Sequence, residues 1–322
     1  MFLASGALFL GFLALMWSAD HFVDGAAATA RNLGMSPMLI GLTIVSIGTS
    51  SPEILVSLMA ALSGHGDLAI GNIVGSNIAN IALVLGATLL LAPIPVNSML
   101  AKRELPLLTV ITLATGVLIY DQFLSRPDGI ILIVALVVTL FIIHKWQQQN
   151  RRPEDEVAAS QECDEEIPEL SQGKASLNLA VGLVVLLVSS RMLVWSATEI
   201  ALWFGVSELT IGLTVVAIGT SLPELAASIT SALKKHHDMA IGNVIGSNIF
   251  NLLAVMAVPG LVAPMSIDPT VFGRDFPIMA GLTILLAIMT LVGKTPKVLG
   301  RPSGFLLLGC YIAYTLLILF QA

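Results

Sequence analysis

IGLTIVSIGTSSPEILVSLMAALSGHGDLAIGNIVGSNIANIALVLG, residues 40–86, occurs twice in this chain in closely similar form. Sliding the sequence by 171 positions lays IGLTVVAIGTSLPELAASITSALKKHHDMAIGNVIGSNIFNLLAVMA, residues 211–257, on it without a gap, and roughly half the paired positions are identical. Agreement of that extent at one fixed offset marks an internal repeat, not merely two apolar segments of like composition. The register persists outward: Pro93 faces Pro264, Arg103 faces Arg274 and Pro106 faces Pro277. The protein reads as two copies of one unit.

Composition says where such a unit lives. Of 322 residues, 56% are hydrophobic and 11% charged, with a mean hydropathy of +0.91, whereas soluble domains carry about a quarter charged residues. Apolar segments bounded by Pro, Gly and charge fall at 2–19, 37–63, 68–91, 105–120, 127–145, 177–198, 208–233, 239–262, 276–293 and 303–320. About 20 apolar residues make one helical span. The expectation is an all-α membrane protein with ten transmembrane helices, arranged as a first five-helix repeat over 1–146, an acidic linker over 147–176 and a second repeat over 177–322. Lys145 to Lys174 holds 8 acidic and 4 basic residues, so most of the net charge of −6 belongs to that one solvated stretch. No basic stripe is left for nucleic acid. Cys163 and Cys310 are too few for a disulfide framework or a metal cage. The apolar N-terminus lacks a Lys or Arg before its core and a small-x-small cleavage site, and is read as a first span.

Five is odd, so the second copy must cross the membrane in the sense opposite to the first. This inverted-topology repeat is an architecture of secondary transporters, with the binding site near the midplane between the repeats. Arg31, Lys102, Arg103, Lys145, Arg151, Arg152, Lys174, Lys234, Lys235, Lys294, Lys297 and Arg301 fall on one side, against Arg126 and Arg274 on the other. The positive-inside rule puts the first group in the cytoplasm. A multi-pass protein of the inner membrane is expected, with the linker cytoplasmic and both termini outside. Asp20, Asp24, Arg191 and Glu199 are read as span-end residues that snorkel or face water. Asp20 and Arg191 share a repeat position but are sent to opposite faces, so no ion pair is expected between them.

Each repeat carries a polar break inside a span: Gly48-Thr49-Ser50-Ser51-Pro52-Glu53 and Gly219-Thr220-Ser221-Leu222-Pro223-Glu224. A proline within a helix frees the carbonyl four residues back, here that of Gly48 or Gly219. Free backbone oxygens at membrane depth must be buried in protein or line a wet cavity. Glu53 lies about 16 residues into its span, and Glu224 likewise, so each carboxylate sits deep in the hydrocarbon layer and needs a partner. No Lys or Arg lies at that depth in these segments, which makes a bound cation the simplest counter-charge. Thr49 and Ser50 share a face with Glu53, as Thr220 and Ser221 do with Glu224. Further on, Ser76 and Asn80 stand four apart, as do Ser247 and Asn251, and the glycines of G-N-x-x-G-S-N permit close helix approach. Carboxylate, hydroxyl, amide and carbonyl oxygens without Cys or His suit Ca²⁺ and similar hard cations.

Blander readings exist for some of these residues. Ser50 to Glu53 also fits a capping box that starts a half-helix, which is compatible with ion binding. Asn72, Asn77, Asn243 and Asn248 fit ordinary interhelical hydrogen bonding. His65-x-Asp67 and His236-x-Asp238 fit helix starts better than metal ligands.

The two bipartite motifs resemble the alpha-repeats of the cation/Ca²⁺ antiporter superfamily, and G-T-S-x-P-E resembles its prokaryotic sodium/calcium exchanger branch. The resemblance implies ion ligands at Glu53, Asn80, Glu224 and Asn251. It adds hydroxyl ligands at Thr49, Ser50, Ser76, Thr220, Ser221 and Ser247, and backbone carbonyls near Ser46 and Ala217. Some relatives, including the potassium-dependent branch, have Asp where this chain has Asn251, so K⁺-independent exchange is implied. No cofactor, Ca²⁺-sensing domain or obligatory protein partner is expected; the partners are Ca²⁺, Na⁺ and the bilayer. The implied activity is alternating-access antiport, electrogenic at about three Na⁺ per Ca²⁺, with the first and sixth helices sliding past the other eight. A H⁺/Ca²⁺ antiporter, usually marked by G-N-A-x-E, and a Ca²⁺-permeable channel are the alternatives. No nucleophile-base pair or nucleotide loop suggests an enzyme.

Overall fold

The computed structural model describes residues 2–97, 100–149, 168–205, 217–291 and 297–321. The helices run α1 (Phe2–Asn32), α2 (Pro37–Thr49), α3 (Ser51–Leu62), α4 (Leu68–Leu91), α5 (Leu105–Leu118), α6 (Arg126–Gln149) and α7 (Gln172–Trp203), and continue as α8 (Ala217–Thr220), α9 (Leu222–Leu233), α10 (His237–Val262), α11 (Val271–Leu291) and α12 (Arg301–Gln321). Among the described residues, seven helices are long and apolar enough to cross a membrane, or eight if the bent pair of α2 and α3 is one span. Of the other two expected spans, α5 has only 14 residues, and the start of the 208–233 segment lies outside the described residues.

Two spans are longer than their apolar runs suggest. α1 has 31 residues and α7 has 32. Charged residues expected near span ends fall within the length of these helices, with Asp20, Arg191 and Glu199 exposed as residues that face water or snorkel should be. Asp20 and Asp24 each place a carboxylate oxygen 2.6 Å from Lys234 Nζ. With those charges partnered, α1 continues through its alanine-rich stretch to Arg31, a cation suited to a helix C-terminus. α7 likewise runs past Arg191 and Glu199 to Trp203.

α1 and α7 lie backbone to backbone. A Cβ added at Gly25 would stand 2.3 Å from the Leu179 backbone nitrogen, and one at Gly182 would stand 2.5 Å from that of Phe22. The protein buries 28% and 22% of their apolar windows, against 78% for both α4 and α10. The long pair thus flanks a core centred on α4 and α10, where Ile70, Ile73, Ile78, Ile81, Ile241, Ile245 and Leu252 are buried together. Val137, Phe141, Phe305 and Ile312 stay more than half exposed, as a lipid-facing surface requires and an aqueous one disfavours.

Two short antiparallel sheets join the halves: β1 (Ile94–Val96) pairs with β4 (Lys297–Leu299), and β2 (Phe123–Leu124) with β3 (Met265–Ser266). α5 and α11 are entered through π-turns at Leu100–Glu104 and Val271–Asp275. Pro106 and Pro277 follow, and neither can donate to the carbonyl four residues back, which favours a widened turn.

Candidate ion-binding site

Each half breaks its helix at a serine. α2 meets α3 at Ser50 with a 43° bend, and α8 meets α9 at Ser221. Pro52 and Pro223 stand in the first turn of the new helix, where the missing N–H costs nothing. Glu53 and Glu224 follow in the same turn, where the dipole favours a carboxylate, and both are fully buried.

The capping reading of these serines is overturned. Ser50 and Ser221 have φ near −81° and −88° with ψ near zero, not the extended geometry of a capping residue, and neither side chain caps its helix. The Ser50 hydroxyl donates across the repeats to Glu224 Oε1 at 3.1 Å. Thr49 Oγ1 also crosses, donating to Asn243 Oδ1 at 3.2 Å. Ser76 Oγ donates to Glu53 Oε1 at 3.4 Å. Each carboxylate keeps a second oxygen, Oε2, buried without a hydrogen bond, and the two charges repel one another.

Asn80 and Asn251 open π-turns, Asn80–Leu85 and Asn251–Val255. Such turns are rare and frequently mark functional positions. The first of these turns packs on α9, which carries Glu224, and the second on α3, which carries Glu53. Asn80, Asn251, Ser221 and Ser247 all have buried polar side-chain atoms without a partner. Asn77 and Asn248 are in the same condition. Leaving a buried polar group unsatisfied costs about 1–3 kcal/mol, and more for a charge. So many unpartnered polar atoms are unusual for a hydrophobic core.

The remaining expected residues are placed less symmetrically. The Ser46 hydroxyl is spent on the Leu42 and Thr43 carbonyls, and its own carbonyl accepts from the Ser50 backbone at 3.0 Å. Thr220 is half-buried at the break. Ala217 opens α8, and its side-chain surroundings lie outside the described residues.

Two residues read as ordinary helix glue turn out to brace the breaks. Asn243 Nδ2 donates to the Glu224 backbone carbonyl at 3.3 Å and to Ser228 Oγ at 2.9 Å. Asn72 Nδ2 does the same for Glu53, at 3.5 Å, and Ser57, at 3.1 Å. Ser190 on α7 donates to the Gly219 carbonyl at 3.1 Å, an oxygen in the last turn before the break at Ser221. Nothing local in the sequence marks Ser190, because its partner lies on another helix.

Gly246 permits the two repeats to meet. A Cβ there would stand 2.7 Å from the Leu42 backbone and from Ser46 Oγ. Gly246→Val is therefore expected to push α10 off α2, lowering the thermal midpoint and cutting transport at least about tenfold, since overpacking costs about 1–3 kcal/mol. A variant with wild-type stability and flux would show that this approach is not needed.

Among the described residues no group of three His, Cys, Asp or Glu could hold a metal. The His65 and His236 segments are helix starts, with Asp238 accepting from Asn97 Nδ2 at 3.1 Å. What the interior offers is two carboxylates among neutral oxygens, a donor set for hard cations.

The sodium/calcium exchanger protein family model matches residues 3–145 and 174–320. CaxA of Alkalimonas amylolytica is 46% identical over 319 residues, covering 99% of each chain. The inner membrane protein YrbG of Escherichia coli is 42% identical over 98% of this chain and 96% of its own length. Among solved structures, the sodium-calcium exchanger NCX_Mj superposes with a TM-score of 0.82 at 32% identity, covering 97% of each chain. Its family members are membrane transporters and not enzymes. With both halves matched, and relatives covered over nearly their whole length, this multi-pass membrane protein belongs to the sodium/calcium exchanger family.

Proposed function

We propose that the protein is a secondary antiporter that exchanges Na⁺ for Ca²⁺ through one central site by alternating access. The observation that carries this reading is the set of buried, unpartnered oxygens around Glu53 and Glu224. Glu53, Glu224, Asn80, Asn251, Thr49, Ser50, Ser76, Thr220, Ser221 and Ser247 supply the ligands, with the backbone near Ser46 and Ala217. One Ca²⁺ neutralises the two carboxylates. About three Na⁺ leave one positive charge, so the cycle moves charge and responds to voltage. Asn rather than Asp at residue 251 supports K⁺ independence. Similarity to NCX_Mj and to the sodium/calcium exchanger MaX1 of Methanosarcina acetivorans, which is 29% identical over 348 residues, supports the ion pair.

Ten spans in two inverted five-helix repeats, 1–146 and 177–322, remain the architecture that best explains the repeated elements. The breaks at Ser50 and Ser221 and the π-turns from Asn80 and Asn251 are each 171 residues apart. The linker, 147–176, lies in the cytoplasm and both termini lie outside. In support, Arg31 at the end of α1 pairs with Glu169 at 2.9 Å, which puts that end and the end of the linker on one face.

The test is ⁴⁵Ca²⁺ uptake into proteoliposomes loaded with Na⁺, compared with a pH gradient alone and with K⁺ added. Uptake is expected only with internal Na⁺, unchanged by K⁺ and accelerated by an interior-positive potential. Uptake driven by pH alone would establish proton coupling instead. Uptake that needs no counter-ion would indicate a channel.

A further inference from the structure

Among the described residues, Arg191 is the one Lys or Arg that lies away from helix ends and connecting segments, and it is exposed. It stands twelve residues before the end of α7, in the half that runs away from the linker. Among the described residues it has no ion pair or hydrogen bond. It lines a cavity of about 200 Å³ with Ser190, Ser51, Pro52, Gly219 and Thr220. This cavity therefore reaches from Arg191 to the broken turns of both repeats, beside the ion-binding region. The same repeat position in the first half is Asp20, which lines a separate cavity of about 500 Å³ between α1 and α9. There Asp20 and Asp24 share the single Lys234, leaving one net negative charge. Two related cavities thus carry opposite local charge.

We propose that Arg191 is a specificity-determining residue, a charge filter that makes ion selection on the face remote from the linker favour Na⁺ over Ca²⁺. This rests on the Na⁺/Ca²⁺ exchange reading. Repulsion from a fixed positive charge scales with the charge of the arriving ion. The free-energy penalty for Ca²⁺ is twice that for Na⁺, so the affinity penalty for Ca²⁺ is the square of that for Na⁺. A symmetric repeat would treat the two faces alike. Arg191 opposite Asp20 does not, and it opposes rebinding of Ca²⁺ from the remote face while admitting Na⁺.

The experiment measures half-saturating Ca²⁺ and Na⁺ on each face, in inside-out and right-side-out proteoliposomes, for the wild type, Arg191→Lys and Arg191→Gln. Arg191→Gln is expected to lower half-saturating Ca²⁺ on the remote face by about tenfold and half-saturating Na⁺ by about threefold. Values on the linker face stay unchanged, and Arg191→Lys behaves as the wild type. In the unaltered protein, raising ionic strength with choline chloride should lower half-saturating Ca²⁺ on the remote face more than on the other, which tests the filter even if a variant fails to fold. Equal changes for both ions, equal changes on both faces or no change would each overturn the filter while leaving exchange intact. A wild type that exchanges neither ion would overturn both readings.

Discussion

Glu53→Gln and Glu224→Gln are each expected to reduce Na⁺-driven Ca²⁺ uptake by at least about 100-fold, because removing one partner of a desolvated charge pair costs about 2–5 kcal/mol or more. The variants should still fold and insert. Gln nearly matches Glu in shape, and neutralising one carboxylate relieves the repulsion between two buried charges. In cation-free buffer their thermal midpoints should therefore equal or exceed that of the wild type. The wild type should gain stability on adding Ca²⁺, by mass action on the folded state, and the variants should lose that gain. Retained uptake in either variant would remove these residues from the site. A fall in cation-free stability would instead assign them a structural role.

Asn243→Ala is expected to have the next largest effect, about a 10- to 100-fold loss of transport. The Asn243 amide accepts from Thr49 in the first repeat while donating to the Glu224 carbonyl in the second. Its removal takes a partner from three buried groups, Thr49 Oγ1, the Glu224 carbonyl and Ser228 Oγ, at about 1–3 kcal/mol for each left unsatisfied. Asn72→Ala should cost less, because the bonds described for Asn72 stay within its own repeat and the one to the Glu53 carbonyl is 3.5 Å long. Comparing maximal flux and half-saturating Ca²⁺ for the two variants checks this. Equal losses would mean that the link between repeats adds nothing beyond local bracing.

The candidate site residues stand out in the sequence because their pattern is local and occurs twice. A proline and a glutamate beside hydroxyls, deep in an apolar run, violate membrane energetics unless a cation answers them. The fold was less legible wherever a long-range partner decides the outcome. Asp20 reads as the end of a span until Lys234 holds it, and the apolar run that ends at residue 198 gives no local sign that α7 continues past Glu199 to Trp203. The π-turns that begin at Asn80 and Asn251 have no sequence signature. The direction of the Ser50 hydroxyl could not be read either. A capping box and a bond to the other repeat use the same residue, and the backbone angles at the break select between them. Asn72 and Asn243 looked like ordinary helix contacts, and their role appears only when the carbonyls they satisfy prove to belong to Glu53 and Glu224.

Equilibrium binding of ⁴⁵Ca²⁺ to the purified protein in Na⁺-free buffer, titrated with Na⁺, tests the shared central site most directly. Binding of one Ca²⁺ per chain is expected, displaced by Na⁺ with a Hill coefficient above one and lost in the Glu53→Gln, Glu224→Gln double variant. Stoichiometric Ca²⁺ binding that survives in the double variant, or that Na⁺ does not displace, would contradict it.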